Sequence, residues 1–328
     1  MLLATLGLAV LRYAAVASST KPRRKARPAA TTTPADRLVE SLITLMEAGN
    51  APWRREWDAS TGGHHVNLLT GHRYRGSNPV LLTLGMHLRG SVLPYWCGYS
   101  EAKAAGLVPR KGSQAVRILR PHVHSGPETP DSALVDQPEA AGSTWVSYRP
   151  VAVFNASDLV GAELSTLIER RRVEAVGQAR PEPERLAKAE AVLGAWPVGV
   201  LRGGDRACYL PSTDQIRLPE LAAFHSSGAY YATWAHEVVH STGHSSRLAR
   251  DLSGPYGSDA YAREELVAEL GAVLLGDLLE VGSAVENHAA YLQHWVRLLR
   301  ESPAVLFQVL GEARRAVELV ENEPVKDY

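Results

Sequence analysis

The chain has 328 residues, 45% of them hydrophobic, enough for one large core or two modest ones. Thirty-five basic residues balance 35 acidic ones, so the molecule as a whole is not a polycation of the kind that coats nucleic acid. Only two cysteines occur, Cys97 and Cys208, without CxxC spacing; neither a disulfide framework nor a cysteine zinc site is indicated, and a reducing, cytoplasmic setting is expected.

Residues 1–33 read as a disordered or over-extended leader. The run from Met1 to Leu11 is apolar and Ala15-Val16-Ala17 resembles a signal-peptidase site. Yet the start carries no positive charge, Arg12 interrupts the run, and it is too short to span a bilayer, so no membrane partner is expected. The Lys21–Arg27 cluster behind it reads as a solvated tail.

From Pro34 to Ala48, Leu38, Val39, Leu42, Ile43 and Met46 recur at helical spacing, which predicts a first helix. Residues Pro52 to Gly76 show no sustained period and read as a functional loop. Helices are expected at Leu81–Leu88 and Ser100–Ala105. Alternating residues at Ala115–Leu119 and Trp145–Phe154 predict a pair of strands, separated by a flexible hairpin insertion over His122–Ser143. The charged, Pro-broken stretch near Arg170–Pro183 predicts a linker. A second unit then opens with a helix near Glu184–Leu193 and short strands at Val198–Leu201, Ala207–Leu210 and Gln215–Leu218. Long helical patterns follow from Ala229, Tyr261, Ala284 and Pro303. The expectation is an α+β protein of two domains, 34–160 and 186–325, joined by a linker at 161–185.

The second unit carries His236-Glu237-Val238-Val239-His240. Residues four apart on a helix stand one above the other, so both imidazoles can reach one tetrahedral ion while Glu237 sits beside its open position. HExxH fixes only three positions, so its surroundings matter. The helix expected from Tyr261 holds Glu264, Glu265 and Glu269 among Leu266, Val267, Leu270, Val273 and Leu274, and acids on a mostly apolar helix need a charged partner. Two histidines and a carboxylate form a catalytic zinc set, so Glu265 is assigned as third ligand to Zn2+, ahead of Glu269. Glu269 is placed behind a ligand histidine to fix its tautomer. His244, after the helix-ending Gly243, is expected to support the site or cap the turn, with Arg247 and Asp251 in the same position. Ser246 stands where the metzincin pattern needs a third histidine, which excludes that extended site. Glu237 is the expected base toward water whose pKa zinc lowers to about 7, with amide hydrolysis the reaction. Tyr256 and Tyr261 are candidates to stabilise the oxyanion.

In the first half the charge balance is lost: between Ala35 and Pro121, eleven Lys/Arg face six Asp/Glu. Aromatic and basic residues interleave there: Trp53, Arg54, Arg55 and Trp57, then Asn67, Arg73, Tyr74, Arg75 and Asn78, then Tyr95, Trp96, Tyr99, Arg110 and Lys111. Such mixtures hold single-stranded nucleic acid, bases stacking on rings while the backbone follows positive charge. By composition alone, buried tryptophans and ordinary surface arginines explain them equally well.

Order and spacing add more. Pro52-Trp53, Asn67 with Thr70-Gly71, Tyr74-Arg75-Gly76-Ser77-Asn78, Tyr95-Trp96-Cys97-Gly98-Tyr99 and Arg110-Lys111-Gly112 resemble the N-terminal domain of ArdC-type antirestriction proteins. The resemblance continues through Ala207-Cys208-Tyr209, Pro211-Ser212-Thr213-Asp214, Tyr230-Tyr231-Ala232-Thr233, the HEVVH segment, Thr242-Gly243-His244, Arg247-Leu248 and Glu264 to Leu270. It implies a single-stranded-DNA-binding domain followed by a zincin-like metallopeptidase domain, in proteins associated with protecting incoming DNA from restriction, with single-stranded DNA as partner; a protein substrate belongs to the HExxH reading and is not implied by the resemblance. DNA contacts would come from Trp53, Asn67, Arg73, Tyr74, Arg75, Asn78, Trp96, Tyr99, Arg110 and Lys111. The leader, Cys97 and Gly98, and the insertion depart from the family pattern. The competing expectation is a non-catalytic single-strand shield whose metal is structural; an acid placed as Glu237 favours the enzyme, since a structural site needs no base.

Overall fold

In the computed structural model, which describes residues 34–49, 51–53, 57, 63–125, 144–283 and 289–322, helix α1 (Pro34–Glu47) occupies its expected span. Its apolar stripe, Val39, Leu42, Ile43 and Met46, is fully buried. Strand β1 (Val66–Asn67), helix α2 (Asn78–His87), strand β2 (Tyr95–Gly98), helix α3 (Tyr99–Ala104) and strands β3 (Val108–Pro109), β4 (Val116–Ser125), β5 (Thr144–Asn155) and β6 (Leu159–Val160) follow. Four of these strands form a sheet in the order β1-β2-β5-β4. The β4–β5 pairing runs antiparallel from Val116↔Val153 to Ser125↔Thr144, so His122–Ser125, expected in the insertion, are strand. The remainder of that insertion, 126–143, lies outside the described residues, as does the leader 1–33.

The span expected as a linker is mostly helical: α4 (Leu164–Gly177) and α5 (Glu182–Ala195) fill it. Only Leu167 and Arg171 of α4 are buried, so its sequence shows no apolar stripe. What docks α4 is polar: the Arg171 guanidinium donates to the carbonyls of Leu68 at 2.8 Å and Leu69 at 2.6 Å. The turn that receives it follows β1 and lies in the stretch that reads in sequence as a functional loop more than a core element. In the structure Trp53, His65 and Leu68 of that stretch are core.

The chain continues through β7 (Gly199–Arg202), β8 (Cys208–Leu210) and β9 (Gln215–Leu218), then α6 (Ser227–Thr242), α7 (Asp259–Leu279), α8 (Ala289–Glu301) and α9 (Val305–Glu321). The three strands form a mixed sheet, β7-β9-β8, which leaves β8 at an edge. Serine caps start the two helices that matter most: Ser226 accepts from the Ala229 N–H and Ser258 from the Tyr261 N–H, both at 3.1 Å. A Cβ on Gly271 of α7 would stand 2.7 Å from a Val239 methyl, so glycine there lets α7 lie close against α6.

The described residues form one compact body. Val39, Leu42, Met46, Trp53, Val80 and Leu84 of the first half share one buried cluster with Trp234, Val238, Leu266, Leu270, Trp295 and Leu310 of the second. A polar seam reinforces it at the end of α7. Arg73 donates to the Asp277 carboxylate at 2.7 Å, while His64 lies 3.2 Å from both Asp277 and Glu280. Burial would raise the Asp277 carboxyl, but the His64 hydrogen bond and the Arg73 charge outweigh it and hold it below the usual carboxylate range. Glu280 sits in the left-handed region at φ 62° and is held there by Arg180 at 2.8 Å. Among the described residues no helix is long and apolar enough to cross a membrane.

Candidate metal centre

Helix α6 is buried along nearly its whole length, which carries His236, Glu237 and His240 into the interior beside α7. The Nε2 atoms of His236 and His240 stand 3.1 Å apart. Glu265 of α7 places Oε2 at 3.7 Å from the first and Oε1 at 3.6 Å from the second. Bonds of about 2.1 Å at tetrahedral angles put neighbouring donor atoms about 3.4 Å apart. The three side chains, whose donor atoms all lie within 4.8 Å of one another, therefore fit one divalent metal ion.

The charge around them points the same way. Glu237, Glu264, Glu265 and Glu269 are all buried, with Arg250 the guanidinium paired into the group. A buried negative excess of that size calls for a cation. Burial alone would lower His236, but the hydrogen bond to Glu265 and the charges of Glu237, Glu265 and Glu269 lift it to about 9. Burial would raise Glu265, whereas the His236 hydrogen bond and the two imidazoles bring it down to about 2. A cation at the donors' focus would take the place of the proton that holds this pair together.

Behind the donors stand two acids. Glu264 Oε1 lies 3.1 Å from His240 Nδ1, and Arg250 grips the same carboxylate from Nε at 2.9 Å and Nη2 at 2.8 Å. An ionised Glu264 accepting from Nδ1–H leaves His240 Nε2 free to ligate. Burial raises Glu264, yet the Arg250 and His240 hydrogen bonds outweigh it and keep it below its ordinary value. Glu269 Oε2 stands 4.0 Å from His236 Nδ1, and its Oε1 accepts from the Trp53 indole N–H at 3.0 Å. Sequence reasoning named Glu264 only as one of three acids on this helix and missed its partner Arg250, because their pairing crosses a turn with no fixed spacing.

A cleft of about 910 Å³ opens onto the donors, lined by Cys208 and Tyr209 of β8 together with Glu237, Tyr261 and Tyr291. Burial pushes the Glu237 carboxyl above its ordinary value, and it accepts the Tyr209 backbone N–H. The Tyr261 hydroxyl bonds Glu265 and lies 3.2 Å from that of Tyr291. Tyr256 is 72% exposed with its ring 5.4 Å from that of Tyr261, and it does not line the cleft.

His244 is also absent from the cleft wall. Its Nδ1 lies 2.7 Å from the Ser246 hydroxyl and accepts the Ser246 N–H at 3.2 Å, so it closes the turn after α6 and does not support the donors. Arg247 pairs with Asp214 and bonds the Ser241 carbonyl, tying that turn to the β8–β9 connection.

The ten residues expected to touch DNA divide into four groups. Trp53 and Trp96 are 1% and 0% exposed, and the Trp96 indole donates to His65 Nδ1 at 3.1 Å, so neither ring offers a face to a base. Asn67 and Asn78 spend their amides on the fold: Asn67 accepts from the Leu69 and Thr70 N–H groups, and Asn78 exchanges two bonds with the backbone of Leu119. Arg73, Tyr74, Arg75 and Tyr99 line one groove, at whose floor the two asparagines also lie. Arg110 and Lys111 are exposed elsewhere, Arg110 donating to the Ser157 carbonyl. Arg54 and Arg55 lie outside the described residues.

Two histidines four apart on a buried helix, an acid between them and a third donor from the next helix define a zincin-like centre. Residues 187–311 match the family of zincin-like metallopeptidases, and residues 33–153 match the N-terminal domain of the anti-restriction factor ArdC. The chain belongs to the ArdC family. It is similar to the crystal structure of the antirestriction protein ArdC from the R388 plasmid, at 29% identity and a TM-score of 0.63, covering 88% of this chain and 97% of that one. A Mn(II)-bound crystal structure of the same protein matches equally, at 28% identity and a TM-score of 0.62. It is 35% identical over 297 residues to the DNA primase TraC of Escherichia coli, covering 87% of this chain and spanning 27% of that protein's length. It is 30% identical over 289 residues to the uncharacterized protein y4eC of Sinorhizobium fredii (strain NBRC 101917 / NGR234), covering 86% of this chain and 90% of that one.

Proposed function

We propose that this protein binds single-stranded DNA through its N-terminal half and hydrolyses peptide bonds at a zinc ion held by His236, His240 and Glu265, in the protection of incoming DNA from restriction. The observation that carries the proposal is the convergence of two imidazoles and one carboxylate beside a buried acid that is not a donor, Glu237. When bound, the zinc supplies Lewis acidity to water and to the scissile carbonyl.

The remaining work falls to side chains. Glu237, desolvated and steadied by the Tyr209 N–H, takes a proton from water and returns it to the leaving amine. Glu264 and Arg250 hold His240 in one tautomer, and Tyr261 orients Glu265. Edge strand β8 borders the cleft, so an extended peptide can add to it by backbone pairing with its scissile bond near Glu237. The relatives support the two parts separately: the R388 protein is an antirestriction protein seen with Mn(II), and the TraC primases contain a segment like this chain within much longer proteins.

Two assays on the purified chain test the proposal. An unfolded protein should be cleaved, with activity lost on chelation and restored by zinc. Oligothymidine binding should weaken linearly on a log–log plot against salt. A metal-loaded protein that never cleaves leaves a single-strand shield with a structural metal, while absence of binding at low salt removes the DNA half.

A further inference from the structure

The strongest feature outside the metal centre is a groove of about 1380 Å³ between the β4–β5 hairpin and α9. Small-molecule sites span about 300–1,000 Å³; this one is larger. Six arginines line it against three glutamates and no aspartate. The metal cleft has the opposite balance, with Asp205, Glu237, Asp251, Glu264 and Glu265 against Arg206 alone. A polyanion is attracted to the first and repelled by the second.

The groove walls also carry rings. Tyr99 is 52% exposed at one end. Tyr148 of β5 lies under the guanidinium of Arg314 from α9, with 4.7 Å between the guanidinium carbon and the ring centroid. Arg75, in the turn before α2, and Arg120 of β4 are exposed and have no carboxylate partner among the described residues. On the other wall, Arg314 is held by Glu318 at 2.7 Å and Arg263 by Glu312 at 2.7 and 2.8 Å, which fixes both heads along the groove. Rings spaced along a basic track are what successive bases and phosphates of a single strand need; a duplex has no free base faces for Tyr99 and Tyr148 to stack on.

We infer that the single-strand site is composite: the DNA runs in this groove, with α9 of the metallopeptidase half forming one wall through Arg314 and Arg315. This rests on the single-strand reading above and adds its location. The segment matching the N-terminal ArdC domain ends at residue 153, so α9 lies beyond it. The N-terminal half alone therefore holds only one wall.

The experiment measures oligothymidine binding to the full chain against salt, for wild type and for Arg120→Gln, Arg315→Gln and Tyr148→Ala, each checked for wild-type thermal unfolding. Each arginine variant should lower the log–log salt slope by about 0.7, the value per single-strand phosphate contact. Tyr148→Ala should weaken binding about tenfold with the slope unchanged. Ultraviolet crosslinks of oligothymidine, mapped by mass, should fall on Tyr99, Tyr148 and Phe307; they give a readout even where a variant is poorly folded. Normal binding by Arg315→Gln with crosslinks elsewhere overturns the groove and leaves the single-strand reading standing. No binding by wild type at low salt overturns both.

Discussion

Glu237→Gln should lose about 10²–10⁴-fold in peptide hydrolysis while keeping its metal. The amide is close in size to the carboxylate and can still accept the Tyr209 N–H, so the buried wall of the cleft keeps its shape. What disappears is the buried carboxylate placed to take a proton from water. Because burial already lifts the Glu237 carboxyl, the wild-type base works in a range closer to neutrality than an exposed glutamate would. The rate with an unfolded protein substrate decides it, measured at equal metal content; equal rates for the two proteins would take Glu237 out of the mechanism.

Trp53→Ala should unfold the protein by about 3–5 kcal/mol and damage the metal centre with it. The ring is 1% exposed and packs 5.7 Å from Trp295, so truncation leaves a large cavity in the shared core. Its second role is separable. The indole N–H holds Glu269, whose other oxygen stands 4.0 Å from His236 Nδ1, so a residue of the N-terminal half places a carboxylate next to a proposed metal donor of the C-terminal half. Trp53→Phe keeps most of the packing and removes the donor. Metal affinity should then fall about 10–100-fold, the usual effect of losing a group behind a ligand. Competition with a chromogenic chelator measures this, and wild-type affinity in Trp53→Phe would sever the link.

Trp53 also shows where the sequence misleads. In a stretch of Gly, His and Arg without a period, a tryptophan reads as a base-stacking ring, because nothing nearby shows that a helix more than 200 residues later covers it. Asn67 and Asn78 mislead similarly: polar side chains that bond backbone in a turn or a strand are indistinguishable in sequence from polar side chains that bond a ligand. The α4 span was legible as charged and not as helical, since an arginine and not an apolar stripe docks it.

The proposed metal donors were legible for a reason of the opposite kind. The spacing of His236 and His240 is fixed by the helix itself, and Glu265 stands on a largely apolar helix that had to be buried. Glu264 was visible as one of three acids on that helix, but its partner Arg250 sits in an irregular turn. Two segments match separate family models, 33–153 the N-terminal domain of ArdC and 187–311 the zincin-like metallopeptidases. What no local pattern reveals is that both halves share one core, because that depends on which stripes meet.

The central claim is that His236, His240 and Glu265 hold one metal ion between them. Elemental analysis of purified protein tests it most directly. About one zinc per chain is expected in wild type and in Glu237→Gln, and close to none in His236→Ala or Glu265→Ala, provided those variants remain folded by circular dichroism. Folded donor variants that retain a full equivalent of zinc would contradict the claim.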